Sequence, residues 1–163
     1  MFSIVLALQM FAATANQGAA SLPSLGALND HLGEYPCQTG VLAAPVLRAS
    51  LKSVLGADYP AYEEHMSLSG CGAIEQRGEW ILLDVSQLHV GGYDSLILVR
   101  PSDGAIYVSW LRSQVLQKQY KLYGPRPIPD AVKQAIVDNL NQGWGHVASF
   151  RWNGEELQIV PTH

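Results

Sequence analysis

The sequence lacks the short motifs that mark common catalytic and nucleotide-binding sites. It contains no G-x-S-x-G elbow, no P-loop and no glycine-rich dinucleotide fingerprint. Its 5 histidines are scattered, none pairs with another at the spacing of metal ligands, and no Cys-x-x-Cys occurs. We therefore predict no metal, no cofactor and no enzymatic activity.

Positive charge is also scarce. The 10 Lys and Arg residues against 14 Asp and Glu give a formal net charge of -4, whereas a nucleic-acid-binding protein shows a basic patch or stripe. An acidic surface mildly favours a basic partner, because it steers cations toward it. With 48% hydrophobic and 15% charged residues, the chain is typical of a globular protein, and its 163 residues suit one domain.

The first twenty residues contain no charged side chain. The apolar stretch 4–15 has the length of a signal-peptide core and is shorter than the roughly 20 residues of a membrane span. Small residues at 13–15 and 18–20 fit an A-x-A-like cleavage pattern, although no basic segment precedes the apolar stretch. We predict a signal peptide at 1–20, a periplasmic or secreted protein, and no membrane span after cleavage. A buried or anchoring N-terminal helix is the alternative.

Cysteine is nearly absent, with only Cys37 and Cys71 in the chain. In an exported protein an even number of cysteines suggests a disulfide, which for a loop of this size would stabilise the fold by about 3–4 kcal/mol. Two separate buried thiols are the alternative. An enzyme with Cys71 as nucleophile and His89 or His146 as base is conceivable, but no spacing indicates the orienting group and oxyanion site that it would need.

Two segments have the period of amphipathic helices. In the first, Pro45 stands in the first turn and Gly56 ends the helix; a short helix follows near Asp58. The second covers 130–140, and Gly143 is predicted to end it. The apolar faces consist of Leu47, Leu51, Val54 and Leu55 in the first helix and of Val132, Ala135, Ile136 and Leu140 in the second.

Five segments between these helices have strand patterns, at 73–76, 80–85, 94–100, 105–111 and 119–123. Turns connect them in sequence, so the sheet should be antiparallel. Asn153-Gly154, between 147–152 and 155–160, is the dipeptide preferred in a type I′ hairpin. The sequence thus predicts an α+β fold, with a central antiparallel sheet of about five strands, N-terminal and C-terminal helices packed on it, and a C-terminal hairpin. We expect one domain at 21–163 that starts with a lead-in segment at 21–38.

One connection is longer than a hairpin needs. The stretch VSQLHVGGYD at 85–94 joins two predicted strands and carries His89 near its middle. Gly91 and Gly92 allow positive φ and a sharp turn, which would push His89 outward. An exposed imidazole both donates and accepts hydrogen bonds, so it suits a carboxylate-lined cleft. The alternative is a loop histidine bonded to its own backbone.

The order of these elements matches a known pattern. A helix ending in Leu-Gly is followed by an aromatic-rich short helix (YPAYEEHMSL), a hairpin (AIEQRGEWILL), the loop SQLHVGG, a hairpin with a P-x-D-G turn (LILVRPSDGAIYVSWL) and a closing helix (PDAVKQAIVDNL). From Leu42 to Leu140 this resembles the inhibitor of vertebrate lysozyme family. The resemblance implies a periplasmic protein, often a dimer, whose protruding loop inserts a His into the active-site cleft of lysozyme.

In that family the loop has the form Cys-Lys-Pro-His-Asp-Cys and is closed by a disulfide, and His89 matches its histidine. At the other positions this chain has Ser86 and Gly91 in place of the cysteines, Gln87 and Leu88 in place of Lys-Pro, and Val90 in place of Asp. The loop therefore lacks the family's clamp, and the two cysteines present lie elsewhere and cannot restore it.

The resemblance implies an exported, non-enzymatic inhibitor of a lysozyme or a similar cell-wall hydrolase. The residues predicted to bind this protein partner are Gln87, Leu88, His89, Val90, Gly91 and Tyr93. The alternative function is an exported interaction domain with no hydrolase target, which acts as an immunity protein or forms a homodimer through an edge strand or the C-terminal hairpin.

Overall fold

The computed structural model describes residues 22–67, 69–87, 93–114, 117–144, 148–154 and 156–161. Four α-helices lie in these ranges: α1 (Pro36–Thr39), α2 (Pro45–Leu55), α3 (Tyr59–Ser67) and α4 (Asp130–Trp144). Short 3-10 helices occupy Leu25–His31, Val41–Ala43 and Gly56–Asp58. The strands are β1 (Ser69–Cys71), β2 (Glu75–Arg77), β3 (Trp80–Gln87), β4 (Tyr93–Arg100), β5 (Ala105–Gln114), β6 (Gln117–Tyr123), β7 (Ala148–Asn153) and β8 (Glu156–Pro161).

Six of these strands form one antiparallel sheet in the order β1-β3-β4-β5-β6, with β2 also paired to β3. β1 and β2 share the outer edge of β3, since β1 pairs with residues 85–87 and β2 pairs with residues 80–82. The predicted antiparallel sheet is confirmed. It has six strands rather than about five because Ser69–Cys71, for which no strand was predicted, forms a short strand of its own.

The central strands are apolar on both faces, because helices cover the sheet from both sides. One face packs against α2, α3 and the N-terminal segment through Ile81, Leu83, Val85, Ile97, Val99, Val108 and Trp110. The opposite face packs against α4 and β7 through Trp80, Leu82, Leu96, Leu98, Tyr107 and Leu111. The predicted α+β class, with helices from both ends of the chain on one sheet, is confirmed.

The two amphipathic helices form where their periods predict them. In α2, Leu47, Leu51 and Leu55 are buried, Pro45 occupies the first turn and Gly56 follows the last residue with φ +55°. α4 buries its predicted apolar face but continues through Gly143 to Trp144. The last turns are tied to β7 by Asn141, whose Oδ1 accepts a hydrogen bond from the Phe150 N–H at 3.1 Å.

The segment predicted as a lead-in is part of the core. Leu22, Leu25 and Leu28 are buried; Leu25 and Leu28 belong to a 3-10 helix at Leu25–His31, and Leu22 precedes it. The spacing of Leu25 and Leu28 matches the three residues per turn of a 3-10 helix, and all three leucines join the core cluster on one face of the sheet. The predicted signal peptide at 1–20 lies outside the described residues. Among the helices described, none is both long and apolar enough to cross a membrane.

The C-terminal hairpin forms a second sheet of two strands, β7 and β8. It is packed on α4 and does not extend the main sheet. Asn153 pairs with Glu156, so the turn begins one residue later than predicted and Asn153 is the last residue of β7. Gly154, with φ +65°, supplies the left-handed backbone that this tight turn requires.

Candidate partner-binding loop and its base

The structure places the predicted partner-binding loop at one end of the central hairpin. Gln87 is the last residue of β3 and Tyr93 is the first residue of β4. Leu88, His89, Val90 and Gly91 lie outside the described residues. The β3–β4 ladder continues to the pair Ser86–Asp94, so the loop leaves from two strands that are in register up to its base.

Two carboxylates meet at the base of this loop. Ser86 Oγ lies 3.2 Å from Asp84 Oδ1 and 3.0 Å from Asp94 Oδ1. A serine hydroxyl has one proton to donate. It can therefore donate to only one carboxylate, and the other contact is favourable only when that carboxyl group is itself protonated.

The burial of the two carboxyl groups also favours the protonated form of one of them. Asp94 is 9% exposed, and burial, followed by the charge of Asp84, raises the pKa of Asp94 to about 6. Burial also raises the pKa of Asp84, while its hydrogen bonds with Ser86 and Asn139 oppose the rise. The base of the loop thus holds a carboxyl pair that favours a shared proton.

The other face of the same strand end is also polar. The Tyr62 hydroxyl hydrogen bonds to Ser95 Oγ, and the Tyr62 ring packs edge-on against Trp110 with centroids 5.1 Å apart. The His65 ring lies 5.7 Å from both aromatic rings. Since Asp94 and Ser95 are adjacent in β4, side-chain hydrogen bonds fix this strand end on both faces of the sheet.

The cysteines meet beside the loop, not in it. Cys37 in α1 and Cys71 in β1 form a disulfide, with Cα atoms 6.0 Å apart, which decides between the disulfide and the two separate thiols. Cys71 pairs with Val85 across β1 and β3. A cysteine in a disulfide has no free thiolate, so the alternative of a Cys71 nucleophile loses its reactive group. His146, its suggested base, lies outside the described residues.

Within the described residues, no three or more His, Cys, Asp and Glu side chains come together as a group that could hold a metal ion.

Comparison with protein-family models gives one match, to the family described as Inhibitor of vertebrate lysozyme (Ivy), over residues 46–142. This match covers more than half of the chain. The chain belongs to the Ivy family. A search of the curated proteins found no match, and a search of the solved structures found none either.

The Ivy match includes every strand of the main sheet and both ends of the His89 loop, from the first turn of α2 to the last turns of α4. Cys37 and the hairpin of β7 and β8 lie outside it. In this Ivy-family chain, the disulfide therefore joins a matched strand to a segment that precedes the match.

The cluster of Asp84, Ser86 and Asp94 in this Ivy-family chain was not predicted from the sequence. Asp84 and Ser86 alternate with Leu83 and Val85, which places them on the face that α4 covers, and Asp94 comes opposite Ser86 through the register. A carboxylate in an otherwise apolar strand pattern is a signal that could have indicated Asp84. Its proximity to Asp94 depends on the strand register, which the sequence does not specify.

Proposed function

We propose that this Ivy-family protein is an exported inhibitor of a lysozyme or a similar cell-wall hydrolase, acting in the periplasm or outside the cell. The observation that carries the proposal is the family match over the sheet and both ends of the loop. Members of the family inhibit an enzyme and are not enzymes themselves, so we propose a binding function.

The proposed mechanism is occlusion of the active-site cleft. The connection between Gln87 and Tyr93 enters the cleft, and His89 meets a catalytic carboxylate of the hydrolase. An imidazole can donate to a carboxylate when protonated and accept from a carboxylic acid when neutral. The neighbouring residues Leu88, Val90 and Gly91 and the terminal residues Gln87 and Tyr93 would supply the surrounding contact area.

The structure around the loop supports this role. A binding loop loses affinity when binding must first order it. Here the loop leaves from β3 and β4, two neighbouring strands of a sheet that is packed on both faces, and side-chain hydrogen bonds reach the last ladder pair, Ser86 and Asp94. The strands on either side of the loop are thus held before any partner binds.

The test is the initial rate of cell-wall substrate clearing by a c-type lysozyme with increasing amounts of the purified protein. We expect inhibition by the wild type and a loss of at least about tenfold in potency for His89→Ala, since about 1.4 kcal/mol of binding free energy corresponds to tenfold. Glu79→Ala is the matched control, because Glu79 is exposed at the opposite end of the same hairpin. Circular dichroism should show the same fold for all three proteins.

The two ways in which the test can fail have different meanings. If His89→Ala inhibits as strongly as the wild type, the loop mechanism is wrong although the target is right. If the wild type does not inhibit at micromolar concentration, the lysozyme target is wrong. That outcome favours an exported interaction domain with another envelope partner.

A further inference from the structure

We propose that the Cys37–Cys71 disulfide positions the partner-binding loop by holding the edge strand β1 against the last three residues of β3. The inference rests on the proposed function, since an inhibitor needs its loop presented in one orientation. It assigns Cys37, Cys71 and β1 a positioning role, because none of them belongs to the loop itself.

The strand register carries the first step. Ser69, Gly70 and Cys71 pair with Gln87, Ser86 and Val85 in that order. Val85 and Ser86 therefore lie between two neighbours, β4 on one side and β1 on the other, whereas the ladder with β4 ends at Ser86 and Gln87 is paired with β1. The residue after Gln87 is the first residue of the loop. Any loosening of β1 acts directly on the backbone from which the loop leaves.

β1 is too short to hold this position without help. It has three residues, which is the lower end of the usual strand length, so few ladder hydrogen bonds hold it. Beyond its end, the Gly72 N–H donates to the Asp84 carbonyl oxygen at 3.2 Å. The adjoining residues of the chain make a second set of contacts on the other side.

That second set comes from the segment around Cys37. The Gly33 N–H donates to the Ile74 carbonyl oxygen at 2.9 Å, and the Ile74 N–H donates to the Glu34 carbonyl oxygen at 2.8 Å. The Cys37 N–H approaches Cys71 Sγ at 3.0 Å, next to the disulfide itself. The chain after β1 is thus joined to the segment around Cys37 by two backbone hydrogen bonds, and β1 itself is joined to it at Cys71 by a covalent bond.

The consequence follows from the position of β1 at the sheet edge. When β1 is released, Val85 and Ser86 keep β4 as a single neighbour and Gln87 loses its pairing with Ser69. Strand ends held in this way open most readily. Ordering them again on binding then reduces the affinity for the partner. The disulfide prevents this because it joins β1 to a segment 34 residues away in sequence, which restricts the unfolded and open states.

The test compares the wild type with the double variant Cys37→Ser/Cys71→Ser by hydrogen exchange and by lysozyme inhibition. The disulfide is removed by mutation and not by a chemical reductant, because a reductant would also act on the target enzyme. We expect amide protection at 69–71 and 85–87 to fall by about tenfold or more while protection at 96–99 persists. Inhibitory potency should fall by about tenfold as well.

Val132→Ala is the matched control for a general loss of stability. Val132 is a fully buried residue of α4, in the core on the opposite face of the sheet from α2 and α3. The control should lower the melting temperature without selective loss of protection at 85–87 and without loss of potency. If the disulfide only stabilised the fold, the double cysteine variant would behave like Val132→Ala.

Each result decides a separate claim. Unchanged amide protection at 85–87 in the double variant overturns the claim that the disulfide holds β1 against these residues. Reduced protection with unchanged potency overturns its role in positioning the loop. If neither wild type nor variant inhibits lysozyme, the proposed function fails. The hydrogen-exchange pattern still decides whether the disulfide holds the base of the loop.

Discussion

At the base of the loop, one hydroxyl group contacts two carboxyl groups. Ser86 Oγ is within hydrogen-bond distance of both Asp84 and Asp94. Burial raises the pKa of both carboxyl groups, and Glu75 adds negative charge near Asp84. The charge of Asp84 is the second cause of the raised pKa of Asp94. The ionised pair is thus unfavourable in the folded state, and one proton relieves it.

We predict that Asp94 makes the protein less stable as the pH rises. The folded-state pKa of about 6 exceeds the ordinary value of 3.8, so the folded state binds the proton more tightly than the unfolded state. The free energy of unfolding therefore falls as pH rises from 3.8 to about 6, and the gap corresponds to about 3 kcal/mol. Asp94→Asn should remove most of this dependence and stabilise the protein by about 1–3 kcal/mol near pH 7.

The measurement is urea unfolding of both proteins across this pH range. Asp103→Asn is the control with the opposite sign, because hydrogen bonds from Arg100 lower the pKa of the exposed Asp103 carboxyl group. That variant should lose stability at neutral pH. Equal pH profiles for the wild type and Asp94→Asn would show that Asp94 ionises in the folded protein as it does in the unfolded chain.

Among the elements, the hairpin of β7 and β8 adds apolar surface to the core that α4 and the sheet share. Phe150 is 3% exposed, and Trp152 Nε1 donates to the Lys133 carbonyl oxygen at 2.9 Å. We expect Phe150→Ala to lower the free energy of unfolding by about 3–5 kcal/mol, the usual loss for a buried phenylalanine.

The matched control is Ser149→Ala, which changes the neighbouring exposed residue of the same strand and should cost no more than about 0.5 kcal/mol. Equilibrium urea unfolding measures both. A loss below about 1 kcal/mol for Phe150→Ala would mean that the hairpin is peripheral to the fold, since such a loss is typical of surface sites.

The elements differ in how far the sequence predicts them. α2, α4 and β3 to β6 were predicted because an amphipathic period or an apolar strand pattern identifies each one locally. The 3-10 helix at Leu25–His31 was missed because its three-residue spacing lies in a segment rich in Gly and Pro. The hairpin turn was placed one residue early, since Asn153 closes the strand pairing instead of entering the turn.

The candidate site also has features that the local sequence predicts and features that it does not. The position of the His89 loop between two strands follows from local sequence, because both flanking strands are apolar. The contact between Asp84 and Asp94 and the place of Cys71 beside residue 85 depend on pairing between strands. The two cysteines do lie outside the loop, as expected. Their bond nevertheless acts on the strand that leads into the loop, which only the sheet order reveals.

In the whole molecule, the segment that matches the Ivy family is completed from both sides. Leu22, Leu25 and Leu28 precede the matched residues 46–142 and fill the core on one face of the sheet. Ala148 and Phe150 follow them and fill the core on the other face. The flanking segments are therefore integral to the fold, and a fragment limited to 46–142 would expose apolar surface on both faces.

The net charge of the whole molecule leads to a prediction about association rates. A protein with a formal net charge of -4 attracts a basic hydrolase over a Debye length that shrinks from about 30 Å at 0.01 M salt to about 8 Å at 0.15 M. The association rate with such a partner should therefore fall steeply with added salt, while the dissociation rate changes little.

Stopped-flow mixing with a c-type lysozyme at several salt concentrations measures both rates. Glu64→Lys, at an exposed position of α3, should slow association at low salt and flatten its salt dependence, because it makes the net charge less negative. His89→Ala should keep the salt dependence of the wild type and speed dissociation. An association rate that does not depend on salt would show that the acidic surface has no part in bringing the partners together.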